Sequence, residues 1–211
     1  MSDFNPYVDN GGSCMAITGP DYCIIAADTR LSSGYDIASR NVPKHILLTP
    51  TSVLASSGMQ ADIRQLGKVL SLHIKQYISQ NDKQMSTPAL AQLLSNTLYY
   101  RRFMPYYAFN LLGGLDETGK GVLYTYDAIG SMESIRYTSQ GSGSQLIQPV
   151  LDAQLKLRPA EDWPSIDRAV AMIKDIFTSC GERDIHTGDF VNILIITRDG
   201  VREEKFELKF D

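Results

Sequence analysis

Several absences narrow this chain before any motif is considered. No run of apolar residues approaches the roughly 18 that a membrane-crossing helix needs, so no membrane span is expected. The opening stretch MSDFNPYVDN is polar and lacks the apolar core of a secretory signal. There are three cysteines, Cys14, Cys23 and Cys180, with no CxxC spacing among them. Cys14 and Cys23 lie in apolar strand patterns and Cys180 continues a helical one. All three therefore read as reduced, buried thiols of a cytoplasmic and nuclear protein. No metal or cofactor motif is read, and none of either is expected. Charge of one sign is not in excess: the formal net charge is −4, with Lys and Arg spread along the chain. That leaves no phosphate-tracking surface, so nucleic acid is not an expected partner. No repeat, low-complexity tract or linker divides the chain. Its 211 residues, 43% hydrophobic and 21% charged, suffice for one well-cored domain rather than two.

What is present is a regular alternation of element types. Strand-like runs fill residues 13–18, 22–29, 45–48 and 52–57. Ile63, Leu66, Leu70, Ile74 and Tyr77 then recur at helical spacing. Thr87-Pro88 opens a second helix, with Thr as cap and Pro in the first turn, and Leu90, Leu94 and Leu98 form its stripe before Pro105. Strands return at 107–113, 121–127 and 131–138. A helix from near Ser142 carries Ile147, Val150 and Leu151. Another, capped by Ser165, carries Ile166, Val170, Ile173 and Phe177. The run VNILIIT, the turn Arg198-Asp199-Gly200 and REEKFELK close the chain as a hairpin. Helices that come in pairs between groups of strands argue against a doubly wound parallel sheet. Two stacked sheets, each with a helix pair outside, fit better, and they explain why CIIAA and VNILIIT are apolar on both faces.

The chemistry concentrates in NGGSCMAITGPDYCIIAADTR, Asn10 to Arg30. Two glycines ahead of Ser13 and Cys14 have the form of a processing site that frees a nucleophile. A hydrolase of that kind uses a Ser, Thr or Cys at the start of a strand, with its own α-amino group as base. It also needs a nearby ammonium, carboxylates to hold that ammonium, and backbone N–H groups for the oxyanion. Asp28 and Arg30 end the second strand, Lys44 follows a Gly34-containing loop, and Gly58 ends a strand where a helix begins.

IIAADTR at 24–30, ASRNVPK at 38–44, SSGMQAD at 56–62, GSGS at 141–144 and ERDIHTGD at 182–189 together resemble the proteasome beta-subunit family, over nearly the whole chain. The resemblance implies an α+β fold, the four-layer α-β-β-α sandwich of the N-terminal-nucleophile hydrolase type. It implies a short arm over residues 1–11 and a single domain over 12–211. The family's nucleophilic threonine falls on Gly12, its acidic residue on Asp28, its arginine on Arg30 and its lysine on Lys44. The oxyanion glycine falls on Gly58 and the GSGS serine on Ser142. The late acidic residue falls on Asp184, with Thr187 and Gly188 where the family carries a Ser-Gly pair. The catalytic set is therefore empty and the remainder a vestigial site, because glycine has no hydroxyl.

Neither neighbour replaces it. Side chains of a strand alternate between faces, so Ser13 should turn away from Lys44. Cys14 shares the face of Gly12 but lies about 6–7 Å further along and has no free amine. FNPYVDNGG, the run from Arg101 to Ser131 and VREEKFELKFD are similar to non-catalytic members of the family. Such a chain would build a proteolytic chamber without cutting. Its partners would be other beta subunits of the same and the opposite ring and subunits of an alpha ring. The alternative is a catalytic threonine-type peptidase subunit. The arm is expected to be ordered only on a neighbouring subunit. Arg101-Arg102-Phe103-Met104-Pro105-Tyr106-Tyr107 suits an interface if exposed, or its aromatic rings fill the core at a helix end.

Overall fold

The structure is a computed structural model that describes residues 4–211, so residues 1–3 of the expected arm lie outside the described residues. The chain opens with β1 (Ser13–Thr18) and β2 (Cys23–Asp28), then a short hairpin of β3 (Leu31–Ser33) and β4 (Asp36–Ser39). β5 (His45–Thr49) and β6 (Ser52–Gly58) lead into helices α1 (Gln60–Asn81) and α2 (Thr87–Tyr99). β7 (Ala108–Leu115), β8 (Gly121–Tyr126), β9 (Met132–Ser134) and β10 (Tyr137–Gly141) follow. Helices α3 (Ser144–Leu155) and α4 (Ile166–Gly181) precede the closing hairpin of β11 (Phe190–Thr197) and β12 (Gly200–Glu207).

Two five-stranded antiparallel sheets result, in the orders β10-β1-β2-β11-β12 and β5-β6-β7-β8-β9. Their facing surfaces enclose one core, and each outer surface is covered by a helix pair, α3 and α4 on the first sheet and α1 and α2 on the second. This is the α-β-β-α sandwich expected from the order of elements. The strand period sorts residues between the two faces. Cys14, Ala16, Cys23, Ile25 and Ala27 face the opposite sheet, while Met15, Ile17, Ile24 and Ala26 face the helices. At Gly113 a Cβ would come 2.6 Å from the Cys23 sulfur.

The sequence reading departs from the structure at four places. The run read as one strand over 131–138 is two, β9 in the second sheet and β10 in the first, so the chain changes sheet at Ile135-Arg136. Ile135 N–H still donates to Leu123 O at 3.0 Å, while Thr18 N–H donates to Arg136 O at 2.8 Å. Adjacent residues thus belong to opposite layers. The cap of α2 is Ser86, whose hydroxyl accepts from Ala89 N–H. Thr87 is instead the first helical residue, and its buried hydroxyl donates to Leu115 O at 2.5 Å. The Gly34-containing loop ahead of Lys44 is a hairpin of β3 and β4. Val150 points outward from α3, and the buried face of that helix is Ile147, Leu151 and Leu155.

Phe177 is completely buried between α4 and the first sheet. Phe177→Ala is expected to cost about 3–5 kcal/mol, whereas Val150→Ala should stay within about 0.5 kcal/mol; urea melts of both variants check this. Burial pushes the Cys14 and Cys23 thiols up to about 12 and the Cys180 thiol up to about 11. Almost no thiolate therefore exists near pH 8. An alkylating reagent should leave all three unmodified in the native protein and label all three in denaturant; rapid native labelling of any of them would contradict this burial.

Candidate functional site: a charged cluster behind the first strand

The site forms where β1 begins, β2 ends and the chain enters β5. Asp28 and Lys44 are both buried, and Lys44 Nζ donates to Asp28 Oδ1 at 2.8 Å, Asp28 O at 3.2 Å and Arg30 O at 2.6 Å. All three ammonium protons are thereby used. Asp28 also accepts backbone N–H bonds, from Ser13 at 2.8 Å, Arg30 at 3.2 Å and Gly188 at 3.3 Å. Burial pushes the Asp28 carboxyl above its ordinary range, opposed by the Lys44 ammonium and the N–H groups of Ser13 and Gly188.

Gly12 lies against this pair. Its φ is +88°, and a Cβ built there would overlap Lys44 Cε and lie 2.6 Å from Nζ. The lysine side chain thus occupies the space that a side chain at position 12 would need, and a β-branched residue is strained at that φ. Ser13 turns to the opposite face, as strand alternation requires. Its hydroxyl accepts from Gly143 N–H at 2.8 Å and donates to Thr187 Oγ1 at 2.7 Å, and Thr187 donates to Asp184 Oδ2 at 2.6 Å. Ser142 Oγ donates to the same Asp184 oxygen at 2.6 Å. Ser13 is therefore a buried link between β1, the start of α3 and the 184–188 turn. With no free amine and no contact with Lys44, it is not an exposed nucleophile.

Gly58, Gly12 and Ser142 line one cavity of about 270 Å³, together with Gly11, Gly141 and Ser57. At Gly58, where φ is +115°, a Cβ would come 2.6 Å from Tyr107 O, so only glycine fits. Gly188 is packed under the Arg30 guanidinium. The structure therefore gathers Gly12, Asp28, Lys44, Gly58, Ser142, Asp184, Thr187 and Gly188 around one centre. Arg30 joins through its backbone and through the guanidinium face that lies against Gly188. The guanidinium's hydrogen bonds go elsewhere, to Asp189 at 3.0 Å and to the backbone oxygens of Ile185 and Asp211, each also at 3.0 Å.

Three features escaped the sequence reading. Asp189, with φ +67°, is fully buried between Arg30 and Arg40, the latter at 2.6 Å. It is the last letter of ERDIHTGD, and nothing local separates it from a surface acid. Asn10 docks the arm on its own chain. Its N–H donates to Gly58 O at 3.1 Å, its side-chain oxygen accepts from Gln60 N–H at 2.9 Å, and its amide donates to Ser32 O at 3.1 Å. Tyr7 adds a hydroxyl bond to Pro105 O at 2.8 Å and packs on Tyr107, ring centroids 5.8 Å apart. The expectation that the arm is ordered only on a neighbour is therefore corrected for Tyr7 to Gly11. The signal available was Asn10 ahead of the glycines, a residue suited to capping a helix.

A two-sheet sandwich with a buried Lys–Asp pair behind its first strand is the arrangement of the N-terminal-nucleophile hydrolase fold. A family model described as "Proteasome subunit" matches residues 8–196, and the chain belongs to the proteasome subunit family. It is 53% identical over 219 residues to "Proteasome subunit beta type-1" of Petunia hybrida, covering 100% of this chain and 98% of that protein. It is 46% identical over 215 residues to the protein of the same description from Drosophila melanogaster, covering 99% and 92%. "Proteasome subunit beta type-6" of Saccharomyces cerevisiae is 38% identical over 221 residues, covering 99% and 92%.

Lys44→Ala would leave the Asp28 carboxylate buried without its cation, and Asp28→Ala would strand the ammonium. Each is expected to destabilise the protein by about 3–5 kcal/mol, against less than about 1 kcal/mol for a solvated pair. Denaturant midpoints of both variants measure the difference, and costs near the lower figure would show the pair to be solvated.

Proposed function

We propose that this chain is a non-catalytic structural subunit of the 20S proteasome core particle, taking part in its assembly and in the wall of its proteolytic chamber. The observation that carries the reading is Gly12 at positive φ with the Lys44 side chain packed where a nucleophile's Cβ would stand. A nucleophile is missing, and so is the room for one. The ammonium that would serve it is fully committed to Asp28 and Arg30. Gly12, Asp28, Arg30, Lys44, Gly58, Ser142, Asp184, Thr187 and Gly188 are accordingly read as a vestigial site whose polar partners now satisfy one another. The catalytic alternative is not favoured by this geometry.

The relatives' descriptions support the beta-subunit reading. The stretches FNPYVDNGG, Arg101–Ser131 and VREEKFELKFD favour the sixth position of the beta ring. Expected partners are beta subunits of the same and the opposite ring and alpha-ring subunits, acting in ubiquitin-dependent protein degradation in cytoplasm and nucleus. Residues 1–11 act as an arm on a domain over 12–211.

In the assembled particle a probe that traps N-terminal threonine should label other subunits and leave this chain unlabelled. Gly12→Thr should not create an active subunit. The new side chain must displace Lys44 at an unfavourable φ, and a misplacement of about 1 Å costs about 100-fold. Mass spectrometry should find at most a trace of chains beginning at position 12. Full labelling of the variant at the rate of genuine catalytic subunits would overturn the proposal that the site is vestigial.

A further inference from the structure

The turn after α2 carries an apolar surface that the fold does not use. Tyr100 is 92% exposed, Phe103 94%, Met104 62% and Tyr99 59%. Tyr99-Tyr100 and Phe103-Met104 flank Arg101-Arg102 through tight turns, in which Arg102 N–H donates to Tyr99 O at 3.0 Å and Met104 N–H to Arg101 O at 3.0 Å. Of the two readings open for this run, Tyr106 goes to the core, Tyr107 is half-buried, and Phe103 with Met104 goes to the surface.

Beside the turn is a cleft of about 450 Å³, walled by Tyr99, Tyr100 and Ile129 with Gly130 in its lining. Gly130 has φ +93° and is held by Ser95 Oγ on its carbonyl at 2.6 Å. The Arg101 and Arg102 guanidinia stand over the Tyr106 and Phe103 rings, at 4.7 and 5.4 Å. Among the described residues neither has a carboxylate partner.

We propose that this surface docks a different protein subunit, one that presents an apolar side chain to the Tyr99–Tyr100 cleft and carboxylates to Arg101 and Arg102. The composition, Tyr, Phe, Met and Arg, is that of interface centres. The four side chains expose on the order of 600 Å², at the upper end for a monomer's largest patch. With the guanidinia added, the surface nears the roughly 800 Å² that one side of a stable interface contributes. A second copy fits poorly, because a two-fold contact sets each patch on itself and brings the unpaired guanidinia of both copies together.

The inference rests on the reading of the chain as a ring subunit. Hydroxyl-radical footprinting of Phe103 and Met104, in the isolated chain and in the large particle, tests it. Both residues should oxidise readily in the isolated chain and about tenfold more slowly in the particle, where an interface centre excludes water. Arg101→Glu with Arg102→Glu should leave the melting temperature unchanged and lower incorporation into the particle severalfold. Absence of the wild-type chain from any large particle would overturn both this inference and the ring-subunit reading. Its presence there with Phe103 and Met104 oxidised at the isolated-chain rate would overturn this one alone. So would normal incorporation of the charge-reversed variant, or protection of the patch in a homodimer.

Discussion

A lysine ammonium cut off from water lies 2.8 Å from a carboxylate that is itself fully buried, and the surrounding backbone is arranged to answer those two charges. Leaving either alone in that interior would cost several kcal/mol. The strand that ends at Asp28, the loop that delivers Lys44 and the turn that brings Gly188 are therefore held in one relation. Ser13 N–H and Arg30 O are parts of the same solution. This explains how such a cluster persists in a chain with no nucleophile to serve, since each member is needed by the others.

The second constraint is spatial. At the end of the sandwich where β1 begins, a Cβ at Gly12, Gly58 or Gly141 would overlap a neighbour, and a cavity of about 270 Å³ lies beside these glycines. The Lys44 stem fills the space a side chain at position 12 would need, and the glycines at positions 11, 12, 58 and 141 let the backbones pass one another, all four at positive φ. The polar groups of the site are mutually bonded. Its hydroxyls converge on Asp184, Ser13 through Thr187 and Ser142 directly.

Much of this was legible in the sequence. The 3.6-residue stripes of α1 and α4, the doubly apolar runs of β2 and β11 and the pairing of helices gave the layer order. Period-two alternation placed Ser13 and Gly12 on opposite faces. Other features could not be read from local pattern. The break between β9 and β10 leaves no turn residue behind, because Ile135-Arg136 continues extended while its hydrogen bonds change sheet. Asp189 and Asn10 owe their roles to partners far away in sequence, Arg30 and Gln60 among them. Ser86 and Thr87 both suit a helix cap, and only the burial of Thr87 against Ser52 and Leu115 decides between them. The direction of the Arg30 side chain likewise depends on the tail that folds back to it.

The placement of β2 between β1 and β11 has a consequence for how the chain comes to be folded. Sheet β5–β9 is drawn from a continuous middle segment and can complete itself while the rest is still being made. The first two strands cannot follow, because the strand that covers the open edge of β2 is almost the last part of the chain to be synthesised. Until then CIIAAD offers an unpaired apolar edge, and pairings this distant in sequence form slowly. The charged cluster, which needs Gly188 as well as Asp28 and Lys44, is accordingly among the last features to assemble, and a nascent chain stalled before that point carries an edge prone to aggregation.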